Sequence, residues 1–180
     1  MASTPTKMLV DQAEKAYRAG KFVQAAEHYA QAAASSAACD DALYAAELRN
    51  NQSVALLQSG DSAGALQAAL ETDLVFAQAG DTRRQAFAIG NQAAAYDALG
   101  NIEKALSCYR KSADLLKLAG DDDHRAMVLK SISALQVRSG RHLEALASMD
   151  AALTNQQRLS VKERFLKKLL HVPFKMLGRG

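Results

Sequence analysis

No tryptophan occurs among the 180 residues of this chain, and only two prolines and two cysteines do. Each scarcity excludes something. The prolines, Pro5 and Pro173, stand near the two ends. Residues 6–172 therefore carry no proline, which suits an all-helical body. The cysteines, Cys39 and Cys108, share neither a repeat position nor a metal-type spacing, so the simplest reading is a reduced chain in the cytoplasm. No apolar run reaches the roughly 18 residues of a membrane span, and the opening Met-Ala-Ser-Thr-Pro lacks the basic and apolar regions of a signal peptide. Aromatic residues make up 6% while hydrophobic residues make up 49%, and alanine fills the difference. Alanine is the best helix former and lets helices approach closely. The length is enough for one domain with a real core.

Charge is unevenly placed. From Arg158 onward there are seven basic residues (Arg158, Lys162, Arg164, Lys167, Lys168, Lys175, Arg179) against one acid, Glu163. That tail carries +6, so the net +3 of the whole chain leaves the body at −3. An acidic body argues against nucleic acid as a partner.

What is present is a period. Gly20, Gly60, Gly100 and Gly140 recur every 40 residues, followed by Lys-Phe-Val-Gln-Ala25-Ala26, Asp-Ser-Ala-Gly-Ala65-Leu66, Asn-Ile-Glu-Lys-Ala105-Leu106 and Arg-His-Leu-Glu-Ala145-Leu146. A fixed period in this range marks a stacked-repeat protein. Midway between these glycines stand Cys39-Asp40-Asp41, Ala79-Gly80-Asp81 and Ala119-Gly120-Asp121, each a helix end followed by an N-cap. Asp40 replaces glycine in the first. Asp61 and Asn101 are good N-caps, whereas Lys21 and Arg141 are not, which predicts looser turns there. The expected helices are 6–19 and 21–38, 42–59 and 61–79, 82–99 and 101–119, and 123–139 and 141–156. Two-residue turns between them force antiparallel hairpins. Ala105, Leu106, Tyr109, Ala113 and Leu116 mark one face of the sixth helix, and Leu66, Ala69, Leu70, Asp73 and Phe76 are their counterparts one period earlier.

Ile89-x-x-Gln92-Ala93-x-x-Tyr96, then Gly100, then Ala105-x-x-x-Tyr109 resembles the tetratricopeptide (TPR) repeat. Ala13, Ser53, Ala93 and Ser133 occupy the small position where hairpin helices touch, opposite Ala25, Ala65, Ala105 and Ala145. The period is 40 residues rather than about 34, no proline ends a repeat, and Gly-Asp links replace the usual ending. These departures resemble the long-repeat branch, as in Pins-type spindle adaptors, kinesin light chains and some bacterial peptide-sensing regulators. The resemblance implies an all-α, right-handed superhelix of antiparallel helix hairpins: four hairpins plus a C-terminal capping helix. Residues 1–157 would hold four TPR-like repeats (about 6–38, 42–79, 82–119 and 123–156), and residues 158–180 a basic amphipathic helix and tail.

In this family the first helix of each hairpin lines a concave groove. The resemblance places there Lys7, Val10, Asp11 and Glu14; Glu47, Asn50, Asn51, Val54 and Gln58; Phe87, Gly90, Asn91, Ala94 and Asp97; and Met127, Lys130, Ser131, Ala134 and Arg138. Asn51 and Asn91 are one period apart, and an amide offers donor and acceptor to an extended peptide backbone. Gly90 would leave space for a ligand. Lys130 and Arg138 do not reproduce the full basic set of a carboxylate clamp, and Asp11 and Glu14 replace its lysine and asparagine, which disfavours a chaperone C-terminus. Asp121-Asp122-Asp123-His124 reads as helix N-terminal acids rather than a calcium loop. No nucleophile–base set, phosphate loop or metal cluster is visible, so neither catalysis nor a cofactor is expected.

In the tail, Leu159, Val161, Phe165, Leu166, Leu169, Leu170 and Val172 share one helical arc, opposite Glu163, Arg164, Lys167, Lys168 and His171. This arc is expected to cap the last hairpin. Pro173 to Leu177 is expected to leave the helix. Lys167, Lys168, Phe174, Met176 and Leu177 then form a second contact, for an anionic membrane surface, a partner, or a neighbouring copy's groove. The function expected is a non-catalytic adaptor binding a peptide; the alternative is a peripheral membrane or assembly protein using its tail.

Overall fold

The computed structural model describes residues 4–156 and 159–177, the side chains of residues 4, 155 and 170–177 excepted. The described residues form helices α1 (Thr4–Arg18), α2 (Phe22–Ala37), α3 (Ala42–Ser59), α4 (Ser62–Ala69), α5 (Thr72–Gln78), α6 (Thr82–Ala98), α7 (Ile102–Leu118), α8 (Asp122–Arg138), α9 (His142–Asn155) and α10 (Val161–Leu177), with no strand among them. Two compact units, residues 1–108 and 109–180, divide within α7. Neighbouring helices in each unit pack as hairpins, α1 on α2 and α3 on α4 in the first, α8 on α9 in the second.

The turns follow from the residues at them. Gly60 and Gly100 adopt left-handed φ of 89° and 75°, and Asp40 fills the equivalent place at φ 56°. In each the next N–H bonds back across the helix end: Asp61 N to the Leu56 carbonyl at 3.0 Å, Asn101 N to Tyr96 at 2.9 Å, Asp41 N to Ser36 at 3.2 Å. This is the Schellman arrangement. Asp41, Asp61, Asp81 and Asp121 then cap the following helices through their carboxylates. The turns at Lys21 and Arg141 lack a side-chain cap, yet they are not looser. Lys21 N and Arg141 N keep the same backbone bond, at 2.9 and 2.8 Å, and Tyr17 packs edge-on against Phe22 with ring centroids 5.3 Å apart. The backbone closes these turns without help from a cap.

The small positions bring the helices together as expected. Ala13, Ala25, Ala65, Ala93 and Ala105 are all fully buried. Where the position is serine, its hydroxyl donates to the facing alanine's carbonyl: Ser53 to Ala65 and Ser133 to Ala145, both at 2.7 Å. At such spacing there is no room for three further carbons. Ala105→Leu should therefore destabilise the fold by about 1–3 kcal/mol, read as a lower urea midpoint. An unchanged midpoint would contradict this hairpin register.

One expected helix is broken. The stretch 61–79 is two helices, α4 and α5, parted at Leu70 and at Glu71, whose φ is 65°. Neither glycine nor proline stands there. The carbonyls freed by the break are taken up by side chains, those of Arg49 and Gln92 from other helices and that of Thr72 locally. Arg49 Nη2 donates to Gln67 at 3.3 Å and to Leu70 at 3.2 Å. Gln92 Nε2 donates to Ala69 at 3.1 Å, and the Thr72 hydroxyl donates to the same carbonyl at 2.7 Å. A left-handed residue costs on the order of 1–2 kcal/mol, and these bonds offset it.

The C-terminal helix also departs from expectation in two ways. It continues through Pro173 to Leu177. Proline fits helical φ, so its local cost is the missing N–H bond and a clash one turn back. Its docked face is also turned from the expected arc. Leu166 is half-buried, but Val161, Phe165 and Leu169 are 80%, 70% and 55% exposed. Polar anchors set this rotation. Lys130 Nζ reaches Glu163 Oε1 at 2.5 Å and Gln156 Oε1 at 2.8 Å, while Lys167 Nζ reaches the Leu153 carbonyl at 3.3 Å. The helix covers the Leu153 end of α9 and leaves Leu146 44% exposed, although Leu106, one period earlier, is fully buried.

Candidate peptide-binding groove

The expected groove positions of the first unit lie on α1, α3 and α6. Asn51 is exposed and makes no hydrogen bond to another described residue, so both amide groups are available. Its neighbour Asn50 is different. It is only 8% exposed, and its Oδ1 lies 3.1 Å from the Thr72 hydroxyl. Asn50 is therefore a core residue and not part of a groove surface, because α5 and α6 close over it. Asn91 sits between these extremes. Half-buried, it donates from Nδ2 to Asn50 Oδ1 at 3.5 Å, the long limit of a hydrogen bond. The period mates Asn51 and Asn91 thus differ: one is open and the other is weakly tied to the neighbouring helix.

Val54, Phe87, Gly90 and Ala94 are half-buried along the same two helices. By the period, Phe87 falls level with Glu47 and Ala94 with Val54. Arg83 lies over the Phe87 ring at 5.2 Å, and Arg84 over the Phe76 ring at 5.4 Å. Arg84 also bridges the helices. Its guanidinium meets Asp81 at 2.6 Å and Glu47 at 3.2 Å. The Arg84 N–H, followed by its side chain, holds the Asp81 carboxyl below the usual carboxylate range against some desolvation. Toward the N-terminus the face turns acidic. Burial raises the Tyr44 phenol, and Glu47, Glu14 and Asp11 beside it raise it further. Among the described residues Glu14 pairs with Arg18 of its own helix, at 2.9 Å and in solvent, and Asp11 makes no ion pair. The Tyr44 ring therefore stands among carboxylates at this end of the surface.

In the second unit, Arg138, Met127 and Ala134 are exposed. Lys130 is not the open groove cation that its position suggests. It is spent on Glu163, and so ties α10 to α8. Glu163 in turn belongs to a capping box: its Oε2 accepts from Ser160 N at 2.8 Å, and its own N–H donates to the Ser160 hydroxyl at 3.3 Å. The Ser160-Val-Lys-Glu163 pattern is a signal in the sequence that could have revealed this helix start, though not its tie to Lys130. The hydrogen bond from Lys130, then those from Ser160, lower the Glu163 carboxyl from 4.5 to about 2. A depressed carboxylate stabilises the folded form above its unfolded value, and that stabilisation is lost as pH falls through the folded one. Amide exchange protection in α10 should therefore decline between about pH 4.5 and pH 2, and Lys130→Met should remove most of that dependence. Equal profiles for the two proteins would show that the pair does not hold α10.

Of the expected tail contacts, Lys168 is exposed and Lys167 is held to α9. The side chains of Phe174, Met176 and Leu177 lie outside the described residues. Asp121 caps α8, accepting from His124 N at 3.2 Å. No group of three or more His, Cys, Asp or Glu among the described residues could hold a metal ion, and none of the helices searched is long and apolar enough to cross a membrane.

Glycine-turned antiparallel hairpins with small residues at the helix contacts define an all-α, TPR-like helical repeat. No protein-family model and no curated protein sequence matches the chain. Among solved structures 44 chains match. The crystal structure of the MamA protein, a TPR-like helical protein, is similar with a TM-score of 0.51 at 17% identity, over 87% of this chain and 97% of that one. At that identity the likeness establishes the fold alone.

Proposed function

We propose that this chain is a non-catalytic interaction scaffold of the long-repeat TPR type, and that an extended peptide lies across α1, α3 and α6 of the first unit. The observation that carries the reading is Asn51: an exposed amide that no described residue bonds, on the helix face that TPR-like repeats use, one period before the weakly held Asn91. The amide pairs with peptide backbone, which is sequence-independent. Selectivity comes from the surroundings. Asp11, with the solvent-exposed Glu14 beside it, favours a lysine or arginine at one end of the peptide. Val54, Phe87 and Ala94 favour an apolar residue toward the other. The partner is a protein segment of basic and apolar character.

A random peptide library panned against the full chain tests this. Enriched peptides should carry basic residues, and Asn51→Ala should weaken them by about 2- to 10-fold, the worth of one hydrogen bond, with the melting temperature unchanged. Failure to enrich any peptide, or enriched peptides indifferent to Asn51→Ala, would overturn the groove assignment.

A further inference from the structure

The outer face of α10 is a separate surface. Val161, Phe165 and Leu169 follow one another at four-residue steps, so they form a single stripe along the helix. All three are exposed, at 80%, 70% and 55%. By helical register Lys162 borders one side of the stripe, and Arg164 and Lys168 border the other. All three basic residues are exposed, and no ion pair with a described residue engages them. The one acid of the helix, Glu163, is turned to the packed side and held by Lys130. The outward face therefore pairs an apolar stripe with charge of one sign only.

We propose that α10 is a docking surface for an anionic lipid bilayer, lying in the plane of the interface with Val161, Phe165 and Leu169 inserted and the flanking basic residues on the headgroups. Such a helix needs an apolar stripe containing Phe or Leu and Lys or Arg on its borders. Charge decides between a bilayer and a protein partner. Lysine is depleted from protein–protein interfaces, whereas each basic residue close to an anionic leaflet adds to the attraction. Residues 1–157 carry −3, which the same leaflet repels, so the electrostatic attraction is confined to the basic C-terminal segment. This surface is distinct from the peptide groove on α1, α3 and α6, and either can exist without the other.

The test is co-sedimentation of the full chain with vesicles of phosphatidylcholine, alone and mixed with phosphatidylserine. Binding should appear with the mixed vesicles, fall sharply with neutral ones, and weaken at high salt. Phe165→Asp should abolish it, and Lys168→Gln should weaken it about fivefold. Phe165 is mostly exposed, so its replacement should leave the circular dichroism melt unchanged and separate lost docking from lost fold. Absence of binding to phosphatidylserine vesicles, or equal binding by Phe165→Asp, would overturn the proposal. So would concentration-dependent self-association that Phe165→Asp removes without any vesicle binding, since the stripe would then be a protein contact.

Discussion

Phe76→Ala should cost about 3–5 kcal/mol, the largest loss expected from any single truncation in the first unit. Phe76 is 1% exposed and packs with buried Ala46 and Ala88 and with half-buried Leu43 and Val75. Its buried neighbours Ala46 and Ala88 are too small to refill the space, and cavities that do not collapse are the costly ones. The ring also supports Arg84, whose guanidinium links Asp81 to Glu47. The phenylalanine therefore supports the groove face from beneath, through α5 and α6. The expected readout is a drop of the order of 10 °C or more in melting temperature. A loss under about 1 kcal/mol would mean that α5 is not packed against α6 as described.

Gln92→Leu should be the next most damaging change, at about 2–3 kcal/mol, although leucine is apolar and of similar size. Gln92 Nε2 donates to Asp73 Oδ1 at 2.9 Å and to the Ala69 carbonyl at 3.1 Å. Asp73 is 9% exposed and has no other hydrogen-bond partner among the described residues. Leucine would leave a buried carboxylate unsatisfied, and the penalty falls on the group left behind rather than on the bond removed. The double variant Gln92→Leu with Asp73→Ala should recover part of the loss. Urea midpoints of the single and double variants measure this coupling. If both single changes were neutral, the polar cluster at the α4–α5 break would have no role in stability.

The architecture was legible where the signal is local. The spacing of Gly60 and Gly100, the Asp61 and Asn101 caps, and the Ser53–Ala65 pairing all depend on residues within a turn or a hairpin. The single helical face read from Leu66 to Phe76 did not survive, because the helix breaks at Leu70 and Glu71, although Ala69, Asp73 and Phe76 are each buried. The groove was readable only in outline. The period places Asn51 and Asn91 alike, but their surroundings differ, because Asn91 reaches the buried Asn50 Oδ1 of the neighbouring helix whereas no described residue bonds Asn51. Lys130 could not be read as an anchor, since Glu163 lies 33 residues away.

By itself the sequence determined the period, the turns, the helical class and which small residues meet, because these depend on backbone conformation and on side-chain size. Only the tertiary structure decided where α4 ends, which way α10 faces and which polar groups remain open. The break at Leu70 and Glu71 carries no glycine or proline. It persists because Arg49 and Gln92, distant in sequence, bind the carbonyls that it frees. The outward stripe of α10 likewise results from ion pairing to another helix, which no pattern within residues 158–180 contains.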